Sequence, residues 1–216
     1  MSDSNEMQKS LNLADHATLK LLVALEEGRP ATQRGLAARI GVALGMTNYL
    51  VKRAVRKGLV KVDKVPAKRY AYYVTPKGFG EKSRLVAQYL SSSLSFFRQA
   101  RAEYSDLFSQ IRAQDHSRII LFGTGELAEI ALLSAREDNI DVIAIVSPGS
   151  NQDDFSGVPV FGSLDFSAEA DIDAVVITVA DVPQEAYDFV VGRFGAERVF
   201  AAPFLHVKCK CNGGGV

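Results

Sequence analysis

Residues 118–131 read Arg-Ile-Ile-Leu-Phe-Gly-Thr-Gly-Glu-Leu-Ala-Glu-Ile-Ala: an apolar run, two glycines, then an amphipathic pattern. A continuous apolar run of strand length fits a strand buried on both faces, and such strands occur in parallel sheets covered by helices. The spacing predicts a strand over 118–122, a tight turn and a helix over 126–136. The alternation continues: a strand at 141–146, an extended piece at 158–161, a near-continuous apolar strand at 173–179, a helix at 184–192 and a last strand at 198–201. Strand and helix in alternation predict a parallel α/β domain.

The first half has another grammar. Leu19, Leu22, Val23 and Leu25 follow a helical period, with Asp15 as N-cap and Gly28 and Pro30 as the stop. A second helix is expected over 33–40 behind the N-cap Thr32, and a third over 44–57, reached through Gly41-Val42 and closed by Gly58. Alternating stretches at 59–65 and 70–74 flank the turn Pro66-Ala67-Lys68-Arg69. Two helices joined by a tight turn, followed by a hairpin, describe a winged helix-turn-helix. Thr75-Pro76, a capping hydroxyl and then proline at the first helical position, opens a helix expected to run to about residue 110. Its apolar residues Val86, Leu90, Leu94, Phe97, Ala100, Tyr104, Leu107 and Ile111 recur in steps of three and four. That seam either packs on its own domain or forms a dimer. The expected architecture is α/β overall. It comprises a winged helix-turn-helix over 1–75, a linking or dimerisation helix over 76–114, a parallel α/β domain over 115–206 and a frayed tail over 207–216.

Charge divides at the same place. Residues 1–114 carry 19 Lys+Arg against 9 Asp+Glu, a net +10, and residues 115–216 carry 6 against 16, a net −10. A cationic half favours a polyanion through counterion release, and an acidic half is repelled by it. Eight basic side chains fall within 47–69, opposed only by Asp63. Double-stranded DNA is therefore the expected partner. With Leu50 and Ala54 facing inward, Thr47, Asn48, Tyr49 and Lys52 are left for base readout. Arg53, with Lys68 and Arg69 at the wing tip, is expected on phosphate.

No apolar run approaches the ~18–20 residues of a membrane span, and the first residues lack the pattern of a secretory signal. No membrane partner and a cytoplasmic location are expected. Cys209 and Cys211 cannot staple a fold; with His206 they make a His-x-x-Cys-x-Cys cluster, one ligand short of a structural zinc site, so no metal is expected. No nucleophile elbow, P-loop or His-Glu-x-x-His is present, and no catalytic residue is assigned.

The run GMTNYLVKRAVRKGLVKVDKV followed by YAYYVTPKGFGEKSRL resembles the MarR-type winged-helix regulators associated with exopolysaccharide gene clusters. Gly45, Asn48, Tyr49 and Lys52 carry the first motif; Tyr72, Thr75, Pro76, Lys77 and Gly78 carry the second. The resemblance covers about residues 15–105 and implies a transcription regulator acting as a dimer or higher homo-oligomer. A dimer would read two half-sites about 34 Å apart or a multiple of that.

The second half supplies something else. Gly123, Gly125 and Ala128 form G-x-G-x-x-A between strand and helix, the context of a nucleotide-binding turn. Pocket residues are expected at the carboxyl ends of strands: Gly123, Thr124, Gly125, Glu126, Leu127, Ser147, Thr178, Val179 and Asp181. Glu126 reads more readily as a helix-dipole partner. Asp181 either accepts from a sugar hydroxyl or caps the next helix. A dinucleotide domain wants an acid at the tip of the second strand, where this chain has Ser147-Pro148. Asn151, Asp153 and Asp154 are the acids and amide within reach by loop. The pieces GTGELAEIALLSA, DVIAIVS, FSGVPVFGSLD and IDAVVITVA resemble the Rossmann-like N-terminal domains of sugar O-acyltransferases and CapD-like polysaccharide proteins. That resemblance implies a UDP-sugar effector, with no cofactor required. NAD(H), as in the Rex redox-sensing repressors, is the alternative, and a nucleotide-sugar enzyme with an accessory helical domain a third reading.

Overall fold

The computed structural model describes residues 2–26, 32–65, 69–164 and 172–208. The chain forms two compact units, Met1–Leu94 and Ser95–Val216.

The first unit contains α1 (Ser2–Glu26), α2 (Gln33–Ile40), α3 (Leu44–Arg56), the strands β1 (Val60–Val65) and β2 (Arg69–Val74), and the start of α4 (Pro76–Arg112). Because α1 begins at Ser2, Asp15 lies inside a helix and is not its N-cap. No glycine or proline interrupts residues 2–26, so nothing in the backbone stops the helix from starting early. Gly28 and Pro30 lie outside the described residues. The Thr32 hydroxyl caps α2 by accepting from the Gly35 N–H at 3.1 Å. Leu21, Leu22 and Leu25 of α1 pack with Leu36 and Ile40 of α2, Leu50, Val51 and Ala54 of α3, Val60, Tyr72 and Leu85. Burying each large aliphatic side chain contributes roughly 1.5–3 kcal/mol before chain entropy is set against it.

β1 and β2 pair antiparallel from Val60↔Val74 to Val65↔Arg69. The turn between them, with Lys68, lies outside the described residues. The corner after β2 explains the Thr-Pro-Lys-Gly sequence. Thr75 Oγ1 donates to the Gly58 carbonyl at 2.7 Å and accepts from the Gly78 N–H at 3.1 Å, so one hydroxyl ties the hairpin and caps α4. A Cβ on Gly78 would lie 2.1 Å from the Leu59 carbonyl oxygen, so two backbones meet there and no side chain fits.

The second unit is built on β3 (Arg118–Phe122), α5 (Glu126–Glu137), β4 (Asp141–Val146), β5 (Asp154–Phe155), β6 (Val158–Phe161), β7 (Ala174–Ile177), α6 (Pro183–Phe194) and β8 (Val199–Ala201). The sheet order is β5-β6-β4-β3-β7-β8. All neighbours run parallel except the short edge strand β5, which pairs antiparallel with β6. The chain starts at β3, steps outward through β4 and β6, then returns to the other side for β7 and β8. This is the doubly wound, Rossmann-like order, and its reversal point lies between β3 and β7. The edge strand β5 has no apolar run to announce it; two residues pair because Asp154 Oδ1 accepts from the Gly157 N–H at 3.1 Å and turns the chain back.

Alternation along the strands supplies both faces. Ile119, Leu121 and Val176 face one core, shared with α5; Ile120, Phe122, Val175 and Ile177 face the other, with Ala186, Tyr187 and Val190 of α6. The first core also takes Ala100, Tyr104, Leu107, Phe108 and Ile111 of α4. The later half of α4 is thus a layer of the α/β unit, and its first half contributes Leu85 to the winged-helix core, so 76–114 is not a segment apart. A parallel sheet buried on both faces needs that cover. The apolar seam divides accordingly. Ala100, Tyr104, Leu107 and Ile111 are buried, whereas Leu90 and Leu94 are 53% and 56% exposed in the single chain. At the carboxyl end, Lys208 N–H donates to Gln184 Oε1 at 2.8 Å. The expected frayed tail beyond it, with Cys209 and Cys211, lies outside the described residues.

Candidate nucleic-acid interface and candidate ligand cleft

On α3, Tyr49, Lys52 and Arg56 are exposed and spaced three and four apart, so they share one outward face. Arg53 is half-buried beside it. Thr47, expected on that face, is fully buried, and this is a correction. Residues 47, 50, 51 and 54 form the inward stripe, and the Thr47 hydroxyl satisfies itself on the Ala43 carbonyl at 3.2 Å. The step of three to Leu50 and seven to Ala54 was the available signal. Asn48 is half-buried, and its Oδ1 lies away from solvent with no hydrogen-bond partner among the described residues. The expected adenine contact would need that amide to turn out. Arg56, one of the eight basic residues within 47–69, also belongs to the outward face.

Between α3 and β1 runs a groove of about 580 Å³ lined by Val51, Lys52, Val55, Arg56 and Val62. Lys61 and Asp63 of β1 are exposed and 4.0 Å apart, a surface pair that contributes little to stability. Arg69 opens β2, and Lys68 lies outside the described residues.

In the second unit a cleft of about 590 Å³ opens at the carboxyl ends of β3, β4 and β7. Its lining includes Gly123, Thr124, Gly125, Glu126, Leu127, Ser147, Thr178, Val179 and Asp181, together with Phe122, Pro148, Val182, Ala186 and Phe189. The apolar wall from α6 escaped the sequence reading because Val182, Ala186 and Phe189 are spaced as any helix core would be.

The floor of the cleft is a backbone crossing. Gly123, at φ +114°, receives support from both sides: its N–H donates to the Val146 carbonyl at 2.8 Å, and its carbonyl accepts from the Thr178 hydroxyl at 2.7 Å. A Cβ there would lie 2.6 Å from Val179 Cγ2 and 3.1 Å from Val179 N. Gly125 precedes α5 with no side-chain cap on the helix, and Gly125, Glu126 and Leu127 line the cleft, so the α5 N-terminus borders it with its first N–H groups uncapped by a side chain. Such groups and the helix dipole favour an anion. Thr124 Oγ1 and Ser147 Oγ lie 3.2 Å apart and join the ends of β3 and β4.

Two acids line the cleft, Glu126 and Asp181, both exposed. Asp181 does not cap α6: the cap position is Val182, without a side-chain bond. Asn151, Asp153 and Asp154 do not reach the lining, and Asp154 is engaged with Gly157. Among the described residues no group of three or more His, Cys, Asp and Glu is placed to hold a metal, and no helix is long and apolar enough to cross a membrane.

Residues 15–61 match the family model described as winged helix-turn-helix DNA-binding. The first unit is a winged helix-turn-helix by this match and by its helices and hairpin. No curated protein matches the chain. Solved structures similar to parts of it include MepR, a transcription regulator of the Staphylococcus aureus multidrug efflux pump MepA (16% identity, 45% of this chain and 78% of that chain, TM-score 0.36). Another is the PcaV transcriptional regulator of Streptomyces coelicolor (24% identity, 52% of this chain and 88% of that chain, TM-score 0.36). A third, PigF with SAH, is 14% identical over 94% of this chain and 61% of that chain, with a TM-score of 0.24.

Proposed function

We propose that this chain is a ligand-responsive, DNA-binding transcription regulator of the MarR type, and that its Rossmann-like unit senses a nucleotide sugar. The observation that carries the reading is the outward face of α3, where Tyr49, Lys52 and Arg56 stand together beside a basic hairpin. A helix so armed enters the major groove, and the hairpin lies along the flanking backbone. The regulator works as a homodimer, with the exposed Val86, Leu90 and Leu94 of α4 as the contact. Its targets are polysaccharide biosynthesis genes, as the sequence resemblance implies.

The Gly123–Gly125 turn and the open α5 N-terminus support a phosphate-bearing effector. Ser147 at the tip of β4, in place of an acid, speaks for a UDP-sugar over NAD(H). Ligand binding acts on DNA affinity to the extent that it favours one of two states of the dimer. α4, which contributes to both cores, is the covalent route between them.

Two measurements test this. DNA affinity should fall steeply between roughly 50 and 200 mM salt; a flat response removes the DNA reading. UDP-glucose should raise Tm and shift DNA affinity at concentrations where NADH does neither.

A further inference from the structure

The two sides of the cleft differ chemically. The β4 side offers a nucleoside little. The Thr124 and Ser147 hydroxyls lie 3.2 Å apart and bond each other, Pro148 has no N–H to donate, and no carboxylate lines that tip. The α6 side is open and apolar. Ala186 and Phe189, three apart, lie on one face of α6 and line the cleft together with Val182 at the helix N-cap. Phe189 is 60% exposed, the highest value among the large apolar side chains described, and Val182 is 48% exposed. The Phe189 ring leans on Phe122 with centroids 5.9 Å apart, so it is held in place while its other face meets solvent. Asp181, an acceptor for vicinal hydroxyls, stands on this same side, at the residue before Val182.

We infer that the cleft takes a single nucleoside phosphate, or its sugar ester, with the base laid on Phe189 and Val182, the ribose hydroxyls on Asp181 and the phosphate at the Gly123–Gly125 turn. This reverses the placement in a dinucleotide fold, where a ribose is held by an acid at the tip of the second strand. It rests on the nucleotide reading above and adds where the base lies. An aromatic face accepts any base, so Phe189 supplies affinity with little base preference, and Asp181 selects for the ribose.

The test uses the full chain. The sequence has no tryptophan, so Phe189→Trp introduces a single reporter at an exposed position. UDP should quench its emission by stacking, and inorganic pyrophosphate should bind without quenching. In calorimetry, Phe189→Ala should weaken UDP on the order of 10-fold and leave pyrophosphate unchanged. If UDP and pyrophosphate both bind but UDP is indifferent to Phe189→Ala, the base lies elsewhere; the inference falls and the nucleotide reading stands. If neither binds the unaltered protein, both fall. If Phe189→Ala changes the sedimentation coefficient while UDP affinity is unmoved, a second copy of the chain covers this wall and the inference is overturned.

Discussion

The phenolic oxygen of Tyr104, on α4, donates to the carbonyl of Ile177, the last residue of β7, at 3.4 Å. Burial pushes the Tyr104 ionisation well above its ordinary range, so it remains a donor at any working pH. The next residue, Thr178, donates to the Gly123 carbonyl and so holds the floor of the cleft. α4 therefore touches the strand end on which the Gly123–Gly125 turn rests. The same stretch of α4 is fastened by Glu103, which accepts from the Phe204 N–H at 2.6 Å, and by Ser105, which donates to Asp138 at 2.8 Å.

Tyr104→Phe should lower the unfolding free energy by about 1 kcal/mol, the net worth of one hydrogen bond. Tyr104→Ala should cost about 3–5 kcal/mol, because a buried ring is removed and the site cannot collapse. Urea denaturation of the full chain reads both. Equal losses would mean that the ring contributes nothing beyond its hydroxyl, contrary to its place in the core.

Gly123→Ala and Gly125→Ala separate close packing from backbone strain. Both glycines have φ near +120°, at +114° and +125°. Each substitution should therefore carry about 1–3 kcal/mol of strain. Only at position 123 does the added methyl strike Val179; at 125 nothing lies within 4 Å. Thermal denaturation should rank Gly123→Ala as clearly the less stable. Comparable stabilities would contradict the crossing at Val179.

Lys52→Ala and Arg56→Ala should each weaken DNA binding across unrelated sequences and reduce the slope of log affinity against log salt by about 1. Thr47→Ala should leave that slope alone and cost stability instead, about 1 kcal/mol for one buried methyl group. Electrophoretic mobility titration at several salt concentrations, paired with urea curves, checks all three. A slope change in Thr47→Ala would return that residue to the interface.

Asp173 tests the strand opening of the second unit. Its Oδ2 accepts from the Arg118 N–H at 2.8 Å and the Ser117 N–H at 2.9 Å, and these bonds hold its carboxyl below the ordinary 3.8. A depressed folded pKa means that the unfolded chain takes up a proton first as pH falls. The stabilisation is therefore full above the unfolded pKa and is lost as pH drops through the folded one. The urea midpoint of the natural chain should decline below about pH 4, and Asp173→Asn should reduce that decline while lowering stability at neutral pH. An identical acid limb in the variant would show that other carboxylates govern it.

Some of this was legible from residues alone. The Thr32 cap, the Thr75-Pro76 start and the Gly123–Gly125 turn are local: each depends on a hydroxyl, a ring or a missing Cβ acting within a few residues. The both-face-buried strands at Ile119–Phe122 and Ala174–Ile177 show in the sequence because burial on two faces leaves no polar position. Asp15 misled because a good capping residue is also tolerated inside a helix when no breaker precedes it. Thr47 is polar yet buried because its hydroxyl bonds the Ala43 carbonyl at the cap of the same helix, which lets it sit on the inward stripe.

The sequence by itself determined two units of opposite charge, a helix-turn-helix with a hairpin, and a glycine turn between a strand and a helix. Those follow from periodicity and backbone chemistry, which act locally. The tertiary structure decided which stretch of α4 is buried, that Thr47 faces inward, and that Phe189 and Asp181 stand on one wall of the cleft. Those depend on which helix face meets which sheet, and packing between distant segments is not encoded in the spacing of either one.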